Sequence, residues 1–153
     1  MDLRPAMVSA LELAREAGAL DEVPVGAVVL DLKSGQILGR GFNRRESEQD
    51  PLGHAEVEAL RAAARTIGSW RLIDCALVVT LEPCPMCLAA AQQARVARVV
   101  YSAEDPKGGA ISLGYRLNED PRTNHRFLVD RLIVTECSEL LTEFFKRKRQ
   151  KPL

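Results

Sequence analysis

The stretch CALVVTLEPCPMCLAAAQQARVARVVYSA, residues 75–103, decides the architecture. Cys75 to Leu81 is almost unbroken apolar, which suits a central strand buried on both faces. Glu82-Pro83 stops it. Cys84 to Ala94 is nearly all small and apolar and reads as a deeply buried inner helix. Val96 to Ser102 is strand-like again. Strand, helix and strand in that order form a crossover, which is right-handed and makes the two strands parallel.

Outward from this unit the pattern continues. Met7, Ala10, Leu11 and Ala14 recur at helical spacing, so an amphipathic helix opens the chain and stops at Asp21-Glu22. Val23 to Leu30 is expected as a strand, Ser34-Gly35 as a turn and Gln36 to Gly41 as the returning strand. Asn43 to Gly53 is polar, carries Asp50-Pro51 and reads as a loop. His54 to Thr66 is rich in Ala, Leu and Arg and reads as a helix. Downstream, a long polar connection runs from Glu104 to Arg126. Leu132-Ile133-Val134 is expected as a short last strand, and Cys137, Leu140, Leu141, Phe144 and Phe145 as a final helical stripe. A connection as long as 104–126 permits a parallel last strand, where a short hairpin would force an antiparallel one. The class is α/β, a mixed five-stranded sheet with helices on both faces.

At 153 residues the chain fits one domain, 1–153, with a basic C-terminal helix end at 144–151. No apolar run approaches the ~20 residues of a membrane helix, and the N-terminus lacks the order of a secretory signal; a cytoplasmic protein is expected. With 21 basic and 21 acidic residues, a surface that wraps nucleic acid throughout is excluded. Polyanion contact must then come from a local patch, of which Lys146-Arg147-Lys148-Arg149-Gln150-Lys151 is the obvious one. Cys75 and Cys137 sit in apolar stripes and read as small buried hydrophobes.

Chemistry concentrates at two helix starts. His54-Ala55-Glu56 opens one, and Pro83-Cys84-Pro85-Met86-Cys87 opens the next. Two thiolates and one imidazole make a three-ligand zinc site with a fourth position left for water, which is what separates a catalytic zinc from a structural one. Helix N-termini favour thiolate over thiol. Zinc lowers the pKa of its water to about 7, and Glu56, two residues from a ligand, is placed to move the protons. A redox dithiol is the rival for Cys84 and Cys87, but it leaves His54 and Glu56 unexplained. A structural zinc needs a fourth ligand, for which only His125, Cys75 or Cys137 are spare. The combination His-x-Glu with Pro-Cys-x-x-Cys is the signature of zinc nucleobase deaminases.

Over nearly its whole length the chain resembles the bacterial tRNA-specific adenosine deaminases of the cytidine deaminase superfamily. The residues that carry the resemblance are Glu22-Val23-Pro24-Val25-Gly26-Ala27-Val28, Gly41-Phe42-Asn43-Arg44, and Asp50-Pro51 leading into His54-Ala55-Glu56. They continue with Trp70-Arg71-Leu72-Ile73-Asp74, Thr80 to Cys87, Asn124-His125-Arg126 and Phe144 to Arg149. The resemblance implies a three-layer cytidine deaminase-like fold with a parallel last strand and one zinc per subunit, held by His54, Cys84 and Cys87. It implies hydrolysis of the wobble adenosine of a tRNA anticodon to inosine, with zinc hydroxide attacking C6 and Glu56 as proton shuttle. It also implies substrate contacts at Asn43, Ala55, Asp105, Lys107, Phe145 and Arg147, a tRNA anticodon loop as partner, and a homodimer. The chain departs from the family pattern at Ala91-Gln92-Gln93 in the inner helix and at Glu104, on the expected dimer and RNA faces. The alternative activity is deamination of a free base or nucleoside (guanine, cytosine or cytidine). A zinc module without catalysis is a third reading, which the presence of Glu56 opposes.

Overall fold

A computed structural model describes residues 1–150; Lys151, the last member of the basic run, lies outside the described residues. Pro5 starts helix α1 (Arg4–Ala19), where a missing N–H costs nothing. Its stripe Met7, Ala10, Leu11, Ala14 and Ala17 is buried. The expected first strand begins later than its apolar run. Pro24 has no N–H to give, and Val25 N–H closes a tight turn on Val23 O at 2.9 Å. The ladder therefore starts with β1 (Gly26–Asp31) and returns as β2 (Ile37–Phe42).

Helix α2 (Ala55–Ile67) follows, ended by Gly68 in the left-handed conformation. Then come β3 (Cys75–Leu81), α3 (Pro85–Gln93) and β4 (Arg98–Ala103). The sheet order is β2-β1-β3-β4-β5, where β5 is Leu128–Arg131. β1 pairs antiparallel with β2 and β3; β3–β4 and β4–β5 are parallel. The crossover and the parallel last strand are as the sequence implied.

The alternating side chains of the central strands feed two cores. Val29, Leu77, Val79 and Val99 face α2 and α3. Val28, Leu30, Val78 and Val100 face α1 and the start of α4 (Thr135–Gln150). Cys75 and Cys137 are buried in these cores.

Two expectations are corrected. The last strand is Leu128–Arg131, not Leu132-Ile133-Val134. β5 is an edge strand, so it tolerates Asp130 and Arg131, which bond to Arg98 and to Ser102 O; its ladder is set by partners on β4 that no local pattern reveals. Leu132 N–H still donates to Tyr101 O at 2.8 Å; beyond it the chain leaves the sheet, and Val134 joins the core under α1. Helix α3 is also less deeply buried than its composition implied. Cys87, Leu88, Ala91 and Gln92 are buried, while Ala90, Gln93 and Ala94 line an open groove with α2.

Candidate active site

Both ligand-bearing helices start at the same end of the sheet. His54 precedes α2 in extended conformation (φ −84°, ψ 147°), and Cys84 precedes α3 in the same way (φ −70°, ψ 170°). Neither helix has a side-chain cap, so the free N–H groups and the positive dipole ends are left at the site. Pro85 fixes the first turn of α3 and returns Cys87 to the same side as Cys84.

His54 Nδ1 lies 3.7 Å from Cys84 Sγ and 3.5 Å from Cys87 Sγ. Regular tetrahedral zinc with Zn–N and Zn–S bonds of about 2.1 and 2.3 Å requires an N···S edge of about 3.6 Å. The observed edges bracket it, so the donor set fits zinc in geometry as well as in chemistry. Among the described residues no fourth ligand joins these three. His125 is committed elsewhere, 2.7 Å from Val96 O. His54 and Cys84 line a cavity of about 480 Å³, while Cys87 is buried, so a metal held by the three would be reached from the cavity.

The electrostatics agree. The Cys87 thiol donates to Cys84 and, with help from His54, holds the Cys84 sulfur down at about 4, the thiolate range. Cys87 is pushed far up by that same shared proton. The hydrogen bond to Cys84 likewise raises His54. A divalent cation is what displaces the proton held between the two sulfurs. Glu56, 4% exposed, is pushed up to about 7 by burial, with the negative Cys84 adding to the shift. A carboxyl poised near neutrality can both take and give a proton.

Around this centre the cavity wall comes from distant parts of the chain. Val23 and Val25 form one side with Asn43, Arg45 and Ala55. Leu81, Glu82, Glu104, Asp105 and Gly108 form the other, and Leu141 and Phe145 of α4 close the rim. Asn43 is buried; its amide donates to Val23 O (3.1 Å) and its oxygen accepts Arg45 N–H (3.2 Å), which fixes it at the wall. Asp105 Oδ1 accepts Gly108 N–H at 3.0 Å, a turn that folds the loop inward. Of the six residues expected to contact substrate, Asn43, Ala55, Asp105 and Phe145 line the cavity and Lys107 and Arg147 do not. Lys107 is exposed on the loop. Arg147 turns to the α1 side of α4, where it stacks over Phe144 and pairs with Asp21 at 3.8 Å; Lys148 pairs with Asp21 too. Two residues, about half a turn, separate Arg147 from Phe145, so the two side chains take different faces of α4, and Asp21, just past the end of α1, pairs with Arg147 on its side.

Sequence reasoning missed Arg45, Glu82 and Leu141 as cavity residues. Glu82 had only its place beside the cysteine motif to mark it, and Leu141 looked like any core leucine.

A crossover sheet carrying a three-ligand zinc site at two helix starts, with a buried carboxyl beside it, defines the zinc-dependent deaminases. Residues 2–103 match the family model of the cytidine and deoxycytidylate deaminase zinc-binding region. The tRNA-specific adenosine deaminase of Haemophilus influenzae is 43% identical over 142 residues, 92% of this chain and 82% of that protein. A structure from studies of A-to-I editing by tRNA:A34 deaminases superposes with TM-score 0.81 at 41% identity, covering 90% of this chain and 99% of that one. Guanine deaminase from Bacillus subtilis matches with TM-score 0.65 and 31% identity over 100% of this chain and 99% of its own. The chain belongs to the cytidine and deoxycytidylate deaminase zinc-binding family, in the branch of the tRNA-specific adenosine deaminases.

Proposed function

We propose that the protein hydrolyses the wobble adenosine of a tRNA anticodon loop to inosine, with Glu56 as the proton carrier. The observation that carries this reading is the rim of the cavity: the parallel β5 delivers the chain to the same end of the sheet as β3 and β4, and from there α4 sets the exposed ring of Phe145 in the cavity wall. A flipped adenine has a π-face for that ring to stack against.

His54, Cys84 and Cys87 would hold a zinc ion, which when bound would lower the pKa of a water and so make a nucleophile available at neutral pH. Glu56 takes one proton of the attacking water and delivers it to N1 of adenine; it then carries the remaining hydroxyl proton to the C6 amine, so that the C6–N bond breaks, ammonia leaves and the C6 carbonyl of inosine forms. Its burial raises the carboxyl above the ordinary carboxylate range, which suits a group that must give back the proton it takes. Asn43 orients the nucleoside from the wall, and Ala55 sets the close approach of the base to α2. Asp105 bounds the site on the loop side. Lys107 reaches a phosphate outside the cavity. Arg147 acts through its Asp21 contact, holding α4 so that Phe145 meets the base.

The protein works as a homodimer in the cytoplasm, where tRNA is. The groove between α2 and α3, lined by Val57, Leu60, Ala64, Ala90 and Ala94 with Trp70 at its edge, is the apolar face that a second copy covers. No described helix is long and apolar enough to cross a membrane. An Ala90→Arg variant that keeps the wild-type mass by light scattering removes this groove as the dimer face.

The test is an inosine assay. The zinc-loaded protein is incubated with an anticodon stem-loop carrying a wobble adenosine, beside free guanine, cytosine, cytidine and adenosine, and the products are weighed by mass spectrometry. Inosine in the stem-loop with the free compounds untouched is the expected result. Ammonia from a free base with the stem-loop unchanged overturns the tRNA reading and leaves the metal chemistry standing.

A further inference from the structure

A second glutamate in the cavity wall is not used by the chemistry above. Glu82, at the exit of β3, is 2% exposed, and its carboxylate is fully engaged. Oε1 accepts Asp105 N–H at 3.0 Å and the Ser112 hydroxyl at 2.6 Å; Oε2 accepts Ser112 N–H at 2.7 Å. Three donors from one loop therefore converge on one buried anion. The loop closes so tightly over it that a Cβ at Gly109 would lie 2.6 Å from Oε1 and nearer still to Oε2. The same loop presents Asp105 and Gly108 to the cavity. Pro83 O accepts Ala110 N–H at 2.8 Å, which ties the loop to the residue next to the metal ligand Cys84.

We propose that Glu82 is a positioning residue for substrate: it clasps the 104–112 loop to the zinc end of β3 and so fixes the wall against which the target nucleotide is held. With three donors spoken for, it is not a second proton carrier. A buried carboxylate that accepts several backbone N–H groups is a strong and directional tie, because its charge is compensated only by those donors. The proposal rests on the reading that this cavity takes the nucleotide of a folded RNA. The clasp itself is measurable without any substrate.

The test uses the full-length zinc-loaded protein and three variants: Glu82→Gln, Gly109→Ala and the double substitution. Glu82→Gln puts an amide –NH2 against N–H donors at unchanged size; Gly109→Ala pushes the carboxylate out from the loop side. Hydrogen exchange is followed at the amides of Asp105 and Ser112, and zinc content and stem-loop kinetics are measured alongside. Each single substitution is expected to speed exchange at both amides at least about tenfold, at full zinc content. KM for the stem-loop is expected to rise about tenfold with kcat within about twofold. The double variant is expected to match the singles, since a clasp breaks once. Should Glu82→Gln fail to fold, Ser112→Ala, which removes the hydroxyl donor alone, gives the same KM shift in smaller degree. Unchanged exchange at the two amides overturns the clasp. Faster exchange with kcat lost and KM unchanged overturns the positioning role. Absence of inosine in the wild-type stem-loop, with the amide result as expected, counts against the tRNA reading and not against the clasp.

Discussion

The start of α2 is set by a strand that contributes no metal ligand, and this makes Gly41→Ala an informative perturbation. A Cβ at Gly41 would lie 2.7 Å from Ala59 N and closer still to Ala55 O, both backbone atoms of α2. Backbone has no rotamer by which to yield, so helix and strand must part until ordinary van der Waals contact is restored near 3.4 Å. The displacement, set by the nearer atom Ala55 O, is about 1 Å in an interior packed like a crystal. Ala55 is the first residue of α2 and the neighbour of both His54 and Glu56. Zinc sites tolerate about 0.2 Å in ligand distance, and misplacing a reacting group by about 1 Å costs about 100-fold in rate. The overpacked variant is expected to lose about 1–3 kcal/mol of stability, about tenfold or more in zinc affinity and at least about tenfold in kcat, although it alters no ligand. The assay is zinc competition against a chromophoric chelator, with thermal melting and turnover on the same preparations. Gly68→Ala is the control: its left-handed backbone (φ +70°) costs about 1 kcal/mol, but nothing stands within 4 Å of the new Cβ, and it lies at the far end of the helix. If Gly41→Ala is destabilised yet binds zinc and turns over like Gly68→Ala, the helix start is not fixed by its contact with β2 and the reasoning fails.

Three further expectations follow from single side chains. Glu56→Gln keeps zinc and loses about 100-fold to 10,000-fold in kcat; loss of metal in that variant, read by atomic absorption, would mean that Glu56 holds the ion rather than moving protons. Glu22, 1% exposed, accepts the N–H groups of Glu46 (3.1 Å) and Ser47 (2.6 Å) and so anchors the 43–53 loop. Burial alone would raise its pKa, but the bonds from Ser47 and Glu46 outweigh burial and lower it. Its stabilisation is therefore complete above the unfolded value near 4.3 and fades as pH falls through the lower folded value. The wild type should exceed Glu22→Gln in stability by about 1–3 kcal/mol at pH 7, with the gap closing below about pH 4 in denaturant titrations; a gap that does not change with pH refutes the assignment. Phe145→Ala should cost about 1–3 kcal/mol of stem-loop binding if the ring stacks on a base, and an unchanged Kd by anisotropy would remove it from the RNA face. Truncation before Phe144 is a poorer test of that face, because Phe144 is core.

Much of this protein could be read without coordinates, because burial writes its period into the chain. The unbroken apolar run of β3, the small-residue helix α3 and the apolar β4 required a parallel crossover, and the length of the 104–126 connection allowed the parallel β5 that the sheet contains. The ligand set was equally legible, since His54, Glu56, Cys84 and Cys87 are a spacing problem local to two helix starts. What no local pattern carries is the identity of a partner far along the chain. The ladder of β5 is set by β4, which is why the strand lies at Leu128–Arg131 and not on the more apolar 132–134. Arg147 looked like a phosphate contact until Asp21, on the α1 side, took it to the other face of α4. Glu22 and Glu82 read only as the residues at which a helix and a strand stop. Folding buries each carboxylate and brings it the N–H groups of a loop more than twenty residues away, and a buried anion is stable only where such donors converge. The sequence by itself determined the chemistry of the metal centre and the parallel crossover that carries it; tertiary structure alone decided the order of the strands and which side chains wall the cavity.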